Sequence, residues 1–234
     1  MLVAASVVIS SSVVAASASS PPVFAGVGDC TISWVGGDGA WSDAGNWAED
    51  GTGANRVPTS TDDVCIDDGD VGTSFVVTIS AGSVTVASIL NEETVEVGEG
   101  RSVSIGQGGS IANAGTWRML TNSTVRGNGS LPDERFVNTG TIEVVAGTGA
   151  DAAALTLSGV VEGPGTTQVA TGEFDIDVGT TSGWVPDVAT GARLDATFTE
   201  PIVGTFDMTG DGLVAWSGTV TAGGPVDLAF EPGE

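Results

Sequence analysis

The chain has 234 residues, with 30 acidic residues against 6 arginines, a net charge of −24, and no lysine, histidine or tyrosine. Charge of that sign repels phosphate backbones and anionic headgroups, which argues against nucleic-acid binding and against membrane insertion of the mature chain. Without histidine or lysine, Ser-His-Asp and Cys-His arrangements are excluded, as is any lysine base. The 36 glycines punctuate runs of Val, Ile, Thr and Ser. Those branched residues fit a pleated surface, and no helical 3-4-3 apolar spacing is sustained beyond position 30. The expected class is all-β.

In chain order, residues 1–18 come first. They are apolar and small, and Ala16-Ser17-Ala18 before Ser19 fits a small-x-small cleavage rule. The segment therefore reads as signal-peptide-like, although it lacks the usual basic start. Residues 19–29, with Pro21-Pro22, read as a linker. An even cysteine count in an exported chain points to a disulfide between Cys30 and Cys65.

Residues 30–72 hold Trp34, Trp41 and Trp47, with turn signals at Gly36-Gly37-Asp38-Gly39 and Val57-Pro58. Three rings so close together suit a cap over the apolar end of a repeat array. A flat platform for stacking on glycans is the alternative. Asp67, Asp68 and Asp70 surround Gly69 and offer carboxylates for calcium, as do Asp207 and Asp211 further on. Neither set completes an EF-hand, so calcium is a candidate ligand and no other cofactor is expected.

Residues 73–183 form a string of short β runs: FVVTI, VTVASIL, TVEV, SVSI, TIEVV, LTLSGVV and FDIDV. Within them Asn113-Ala-Gly-Thr recurs as Asn138-Thr-Gly-Thr and then as Gly163-Pro-Gly-Thr, 25 residues apart each time. Apolar positions keep the register: Ile111, Phe136 and Val161 match, as do Trp117 and Ile142. A period this long exceeds a hairpin and suits one rung of a parallel β-helix. Asn113 and Asn138 should stack at a corner, with Gly115, Gly140 and Gly165 where a Cβ would clash. The expected fold is a right-handed parallel β-helix, or β-solenoid, with an N-terminal Trp-rich cap. An antiparallel β-sandwich is the alternative. Residues 184–234 have longer alternating runs and read as irregular rungs or a small β-domain.

The order Trp34, Gly37, Gly39, Trp41, Asn46, Trp47, Pro58, Asp62, Asp63, Val64, Ile66, followed by Asn-x-Gly-Thr rungs, resembles large bacterial surface and secreted β-helix proteins of the autotransporter-like, adhesin-like type. The resemblance spans about 35 residues of cap and about 100 of rungs. It implies a cell-surface or secreted β-helix and carries no common catalytic set.

Carboxylates are the remaining source of chemistry. Glycoside hydrolysis needs only two, and Asp62, Asp63, Asp67, Asp68 and Asp70, or Asp175 and Asp177 on one strand face, could supply them. With 30 acids such pairs are expected from composition alone. Asn122-Ser-Thr and Asn128-Gly-Ser match the glycosylation acceptor pattern but also suit ordinary turns. The expectation is a non-catalytic secreted or surface module, acidic and adhesin-like, binding glycans or surface proteins or associating with itself. The alternative is a carbohydrate-active enzyme using groove carboxylates.

Overall fold

The computed structural model describes residues 30–67, 74–128, 134–199 and 210–218. They form a parallel β-solenoid of about six turns, without an α-helix among them. The chain enters through β1 (Ile32–Trp34) and β2 (Gly39–Ala40), makes a 3-10 turn at Ala44–Asn46, and doubles back as β3 (Trp47–Glu49). Three coils follow: β4 (Asp63–Ile66), β5 (Val76–Ile79) and β6 (Ser83–Val86); β7 (Ser88–Asn91), β8 (Thr94–Val97) and β9 (Ser102–Ile105); β10 (Ser110–Asn113), β11 (Thr116–Leu120) and β12 (Thr124–Gly127). Then come β13 (Arg135–Asn138), β14 (Thr141–Val145), β15 (Ala153–Glu162), β16 (Thr166–Thr171), β17 (Glu173–Ser182), β18 (Val185–Val188), β19 (Arg193–Phe198) and β20 (Leu213–Gly218).

The coils stack into three faces. The first stacks β1, β4, β7, β10, β13 and the C-terminal parts of β15 and β17. The second stacks β2, β5, β8, β11, β14, β16 and β18. The third stacks β6, β9, β12, the N-terminal parts of β15 and β17, then β19 and β20. Parallel neighbours need a long crossover, and here the crossover is the rest of the coil. In β15 and β17 the strand runs on around the corner between the third face and the first. The bend falls at Gly159 and Gly179, where added Cβ atoms would run into carbonyls of the preceding rung.

Strand alternation puts every second side chain inside, and in a solenoid the same inward position recurs on the next rung. On the first face Ile32, Val64, Ile89, Ile111, Phe136 and Val161 stack in one buried column. On the third, Val84, Val103, Val125, Leu155, Ile176 and Ala196 do the same. Each fully buried aliphatic side chain contributes about 1.5–3 kcal/mol, offset by the entropy of ordering the chain.

The two end zones both take part in the coil. Residues 30–72 are not a cap alone, because β1 and β4 already belong to the first face. What makes the end a cap is β3, which pairs antiparallel to β1 and so terminates the parallel stack. At the other end, β18, β19 and β20 pair in parallel with the rungs before them. The described part of the last zone therefore continues the coil. Residues 1–29, including the signal-like and linker segments, lie outside the described residues.

Candidate functional site

The Trp-rich segment folds over the first rung. Trp34 and Trp47 meet edge to face at 4.8 Å between centroids, Trp41 and Trp47 at 4.7 Å, and Trp34 stacks on Phe75 at 6.1 Å. Trp47 Nε1 donates to the Trp41 carbonyl at 2.7 Å, and Trp34 Nε1 to that of Gly37 at 3.1 Å. Asn46 Nδ2 donates to the Ala40 carbonyl at 3.2 Å, and a Cβ at Gly36 or Gly39 would strike this asparagine's side chain. That packing accounts for the spacing of Gly, Asn and Trp in the motif. Trp34 and Trp41 are each 4% exposed and Trp47 is fully buried, so none offers an open ring face for a sugar. The Cys30–Cys65 disulfide, with Cα atoms 5.8 Å apart, ties the start of β1 to β4.

A buried carboxylate completes this end. Asp62, 4% exposed, accepts from Arg56 Nη1 at 2.6 Å and Nη2 at 2.7 Å, from the Thr59 backbone N–H at 2.6 Å and hydroxyl at 2.8 Å, and from the Thr31 hydroxyl at 3.1 Å. The Arg56 guanidinium, reinforced by the two threonines, holds its pKa well below the usual carboxylate range despite burial. Arg56 also reaches Glu49 of β3 at 3.1 Å. Its loop thus clamps β3, β1 and β4 together. Asp63, next in sequence, accepts from the Ser88 hydroxyl on β7.

The expected corner ladder is present and longer than its sequence signal. Asn113 Nδ2 donates to Asn138 Oδ1 at 2.7 Å, and Asn91 Nδ2 donates to Asn113 Oδ1 at 2.7 Å. The same amides reach backbone carbonyls of Thr116, Thr141 and Thr166 at 3.1–3.3 Å. All three asparagines are buried, so the ladder satisfies polar groups that would otherwise cost free energy at the turn. Gly115 and Gly140 follow two residues after Asn113 and Asn138, Gly165 takes the same place one rung on, and a Cβ at any of the three would strike backbone of the rung below. Asn91 falls outside the 25-residue period because its rung is 22 residues long. Its shared Asn-x-x-Thr frame was the available signal.

The outward positions carry the chemistry. On the second face Thr94, Thr116, Thr141 and Thr166 form one column. Beside it Arg118 sits between Glu143 at 2.8 Å and Glu96 at 3.4 Å. On the third face Glu173, Asp175 and Asp195 bring carboxylate oxygens within 4.8 Å of one another. Arg193 pairs with Glu173 at 3.1 Å and Asp195 at 2.5 Å. Partial burial, then the neighbouring charges of Glu173 and Asp195, push the Asp175 pKa above its ordinary value, with Arg193 opposing. Asp175 and Asp177 do share the outer face, as alternation requires. Asp195 joins them only through the 20-residue register between β17 and β19, which the 25-residue period did not foretell.

Among the calcium candidates, Asp68, Asp70 and Asp207 lie outside the described residues, while Asp67 follows β4 and Asp211 precedes β20 on the surface. Within the described residues, the carboxylate group able to converge on a cation is Glu173, Asp175 and Asp195.

Fold and surface together define a disulfide-stapled, capped parallel β-solenoid with polar columns on its outer faces. Compared with protein-family models, curated proteins and solved structures, the chain finds no match.

Proposed function

We propose that this chain is a structural or adhesive module of a secreted or cell-surface protein. The observation that carries the reading is the construction of the coil. Its interior is filled by stacked side chains, one end is closed by the Trp cap, and chemical variety lies in flat outward columns such as Thr94–Thr116–Thr141–Thr166. Such a body is a stiff scaffold with long polar faces suited to glycans, surface proteins or a second copy. A disulfide fits an oxidising compartment. So does the likeness of its N-terminal motif to bacterial adhesin-like β-helix proteins.

A second reading rests on Glu173, Asp175 and Asp195. A carboxyl group with a raised pKa beside further carboxylates is the arrangement from which glycoside hydrolysis could work. One experiment separates the two. Full-length protein is applied to a glycan array and incubated with acidic polysaccharides in a reducing-sugar assay. Binding without sugar release is the expected result. Release abolished by Asp175→Asn would replace the structural reading with the enzymatic one.

A further inference from the structure

We infer that residues 23–27 (VFAGV), just ahead of the first strand, dock on the outer side of the first face, along an apolar stripe that runs from Cys65 to Val137. Cys65, Leu90, Ala112 and Val137 are matched rung by rung. Each follows an inward residue, Val64, Ile89, Ile111 or Phe136, so alternation puts this column outside. An inward column must be apolar, but an outward one facing water gains nothing from it. Cys65 and Val137 are buried, whereas Leu90 and Ala112 between them are only half-buried. The middle of the stripe is a shallow groove lined by Cys30, Leu90 and Ala112, with Asp63, Ser88 and Ser110 as its polar wall. Its far end is closed by Glu162, which lies opposite Val137 and pairs with Arg135 at 2.8 Å.

Where the chain enters the fold names the occupant. Cys30 lines the groove and is bonded to Cys65, so the residues before it depart from the groove itself. Residues 19–28 carry no charge in a chain of net charge −24, and they include Val23, Phe24 and Val27. Val27, three residues from Cys30, reaches Leu90. Phe24 lies six residues away. An extended chain of that length spans about 20 Å, more than the roughly 14 Å of three strand spacings from β4 to β13. A second copy is the weaker occupant. A tethered segment binds at an effective concentration that a separate chain must match in solution, and the copy would bring a further net charge of −24 against the first. The first face is then occupied by the chain itself. The threonine column of the second face stays open to outside partners.

The test is limited chymotrypsin digestion of the full chain read by mass spectrometry, with a free peptide of residues 19–29 as the reference. Cleavage after Phe24 is expected to be roughly tenfold slower in the chain than in the peptide, because a docked site is cut only while it is open. Leu90→Asp puts a charge in the middle of the groove and should restore the peptide's rate. Val145→Asp adds the same charge to an exposed position of β14 and should leave the protection intact. Should Leu90→Asp disturb the coil, the wild-type chain decides: nuclear Overhauser effects are expected between the Phe24 ring and the methyl groups of Leu90, Ala112 or Val137. Their absence overturns the inference. So does equal cleavage of chain and peptide, or protection that survives Leu90→Asp in a folded coil. A wild-type dimer that Leu90→Asp converts to a monomer, with Phe24 cut freely in both, overturns it in favour of a second copy.

Discussion

The two ends of the coil hold the same kind of group in opposite circumstances. Asp62 at the capped end is buried yet ionised, because a guanidinium and two threonines converge on it. Asp175 on the later rungs is harder to ionise than a free aspartate, because partial burial and then the charges of Glu173 and Asp195 outweigh the one arginine nearby. Burial pushes both carboxylates up; the local supply of donors is what reverses its effect at Asp62. With six arginines for 30 acids the chain cannot pair them all. It places Arg56 where an irregular loop must be fixed, and leaves part of the outer coil in a charge deficit that solvent can screen.

If the cap end is the tightly specified one, damage there should be costly and local. Trp47→Ala removes a fully buried ring in edge contact with both Trp34 and Trp41 and frees the Trp41 carbonyl. The expected cost is about 3–5 kcal/mol. It should appear as lost exchange protection between residues 30 and 66, with β16 to β19 nearly unaffected. A loss spread evenly over the chain would show that the solenoid melts as one unit and erase the distinction between its ends.

Asn113→Ala comes next and probes the corner between them. It deprives Asn91 of its acceptor and Asn138 of its donor within a buried ladder. The cost expected from leaving those amide groups unpaired is about 1–3 kcal/mol. Thermal or urea unfolding gives the size, and exchange at Asn91 and Asn138 should rise together. A change confined to residue 113 would mean that the rungs are held by their aliphatic columns alone.

How much of this could be seen in the sequence follows from the same geometry. The 25-residue period is visible where consecutive rungs have equal loops, as from Asn113 to Asn138 and from Val137 to Glu162. Stacking demands a common register only within strands, so loop length is free. That freedom hides Asn91, 22 residues before Asn113, and the Asp175–Asp195 opposition, 20 residues apart. The run VTVASIL looked like one strand but turns a corner at Ala87, whereas LTLSGVV does continue through its bend as part of β15. Local alternation cannot separate those cases, because both keep apolar residues inside. The Arg56–Asp62 clamp was partly visible as the Pro58 to Asp62-Asp63 segment. Its partner arginine was not, since nothing in the spacing shows which way an irregular loop returns.

The smallest effect belongs to Arg118→Ala, and it is the sharpest check on the contrast between clamped and unclamped charge. Arg118 bridges Glu96 and Glu143 from the rungs on either side, but its side chain is 36% exposed. Water competes for all three groups, so the pair energies are screened and should sum to no more than about 1 kcal/mol. Removing the guanidinium also leaves the two glutamates facing each other across an uncharged rung, a repulsion that added salt should weaken. Urea unfolding of the variant at low and high ionic strength should therefore give a small destabilisation that shrinks as salt rises, following the shorter screening length. A salt-independent loss above about 2 kcal/mol would place Arg118 with buried, hydrogen-bonded charges. The outer columns would then be as firmly clamped as the cap, and donor supply would no longer distinguish one end of the coil from the other.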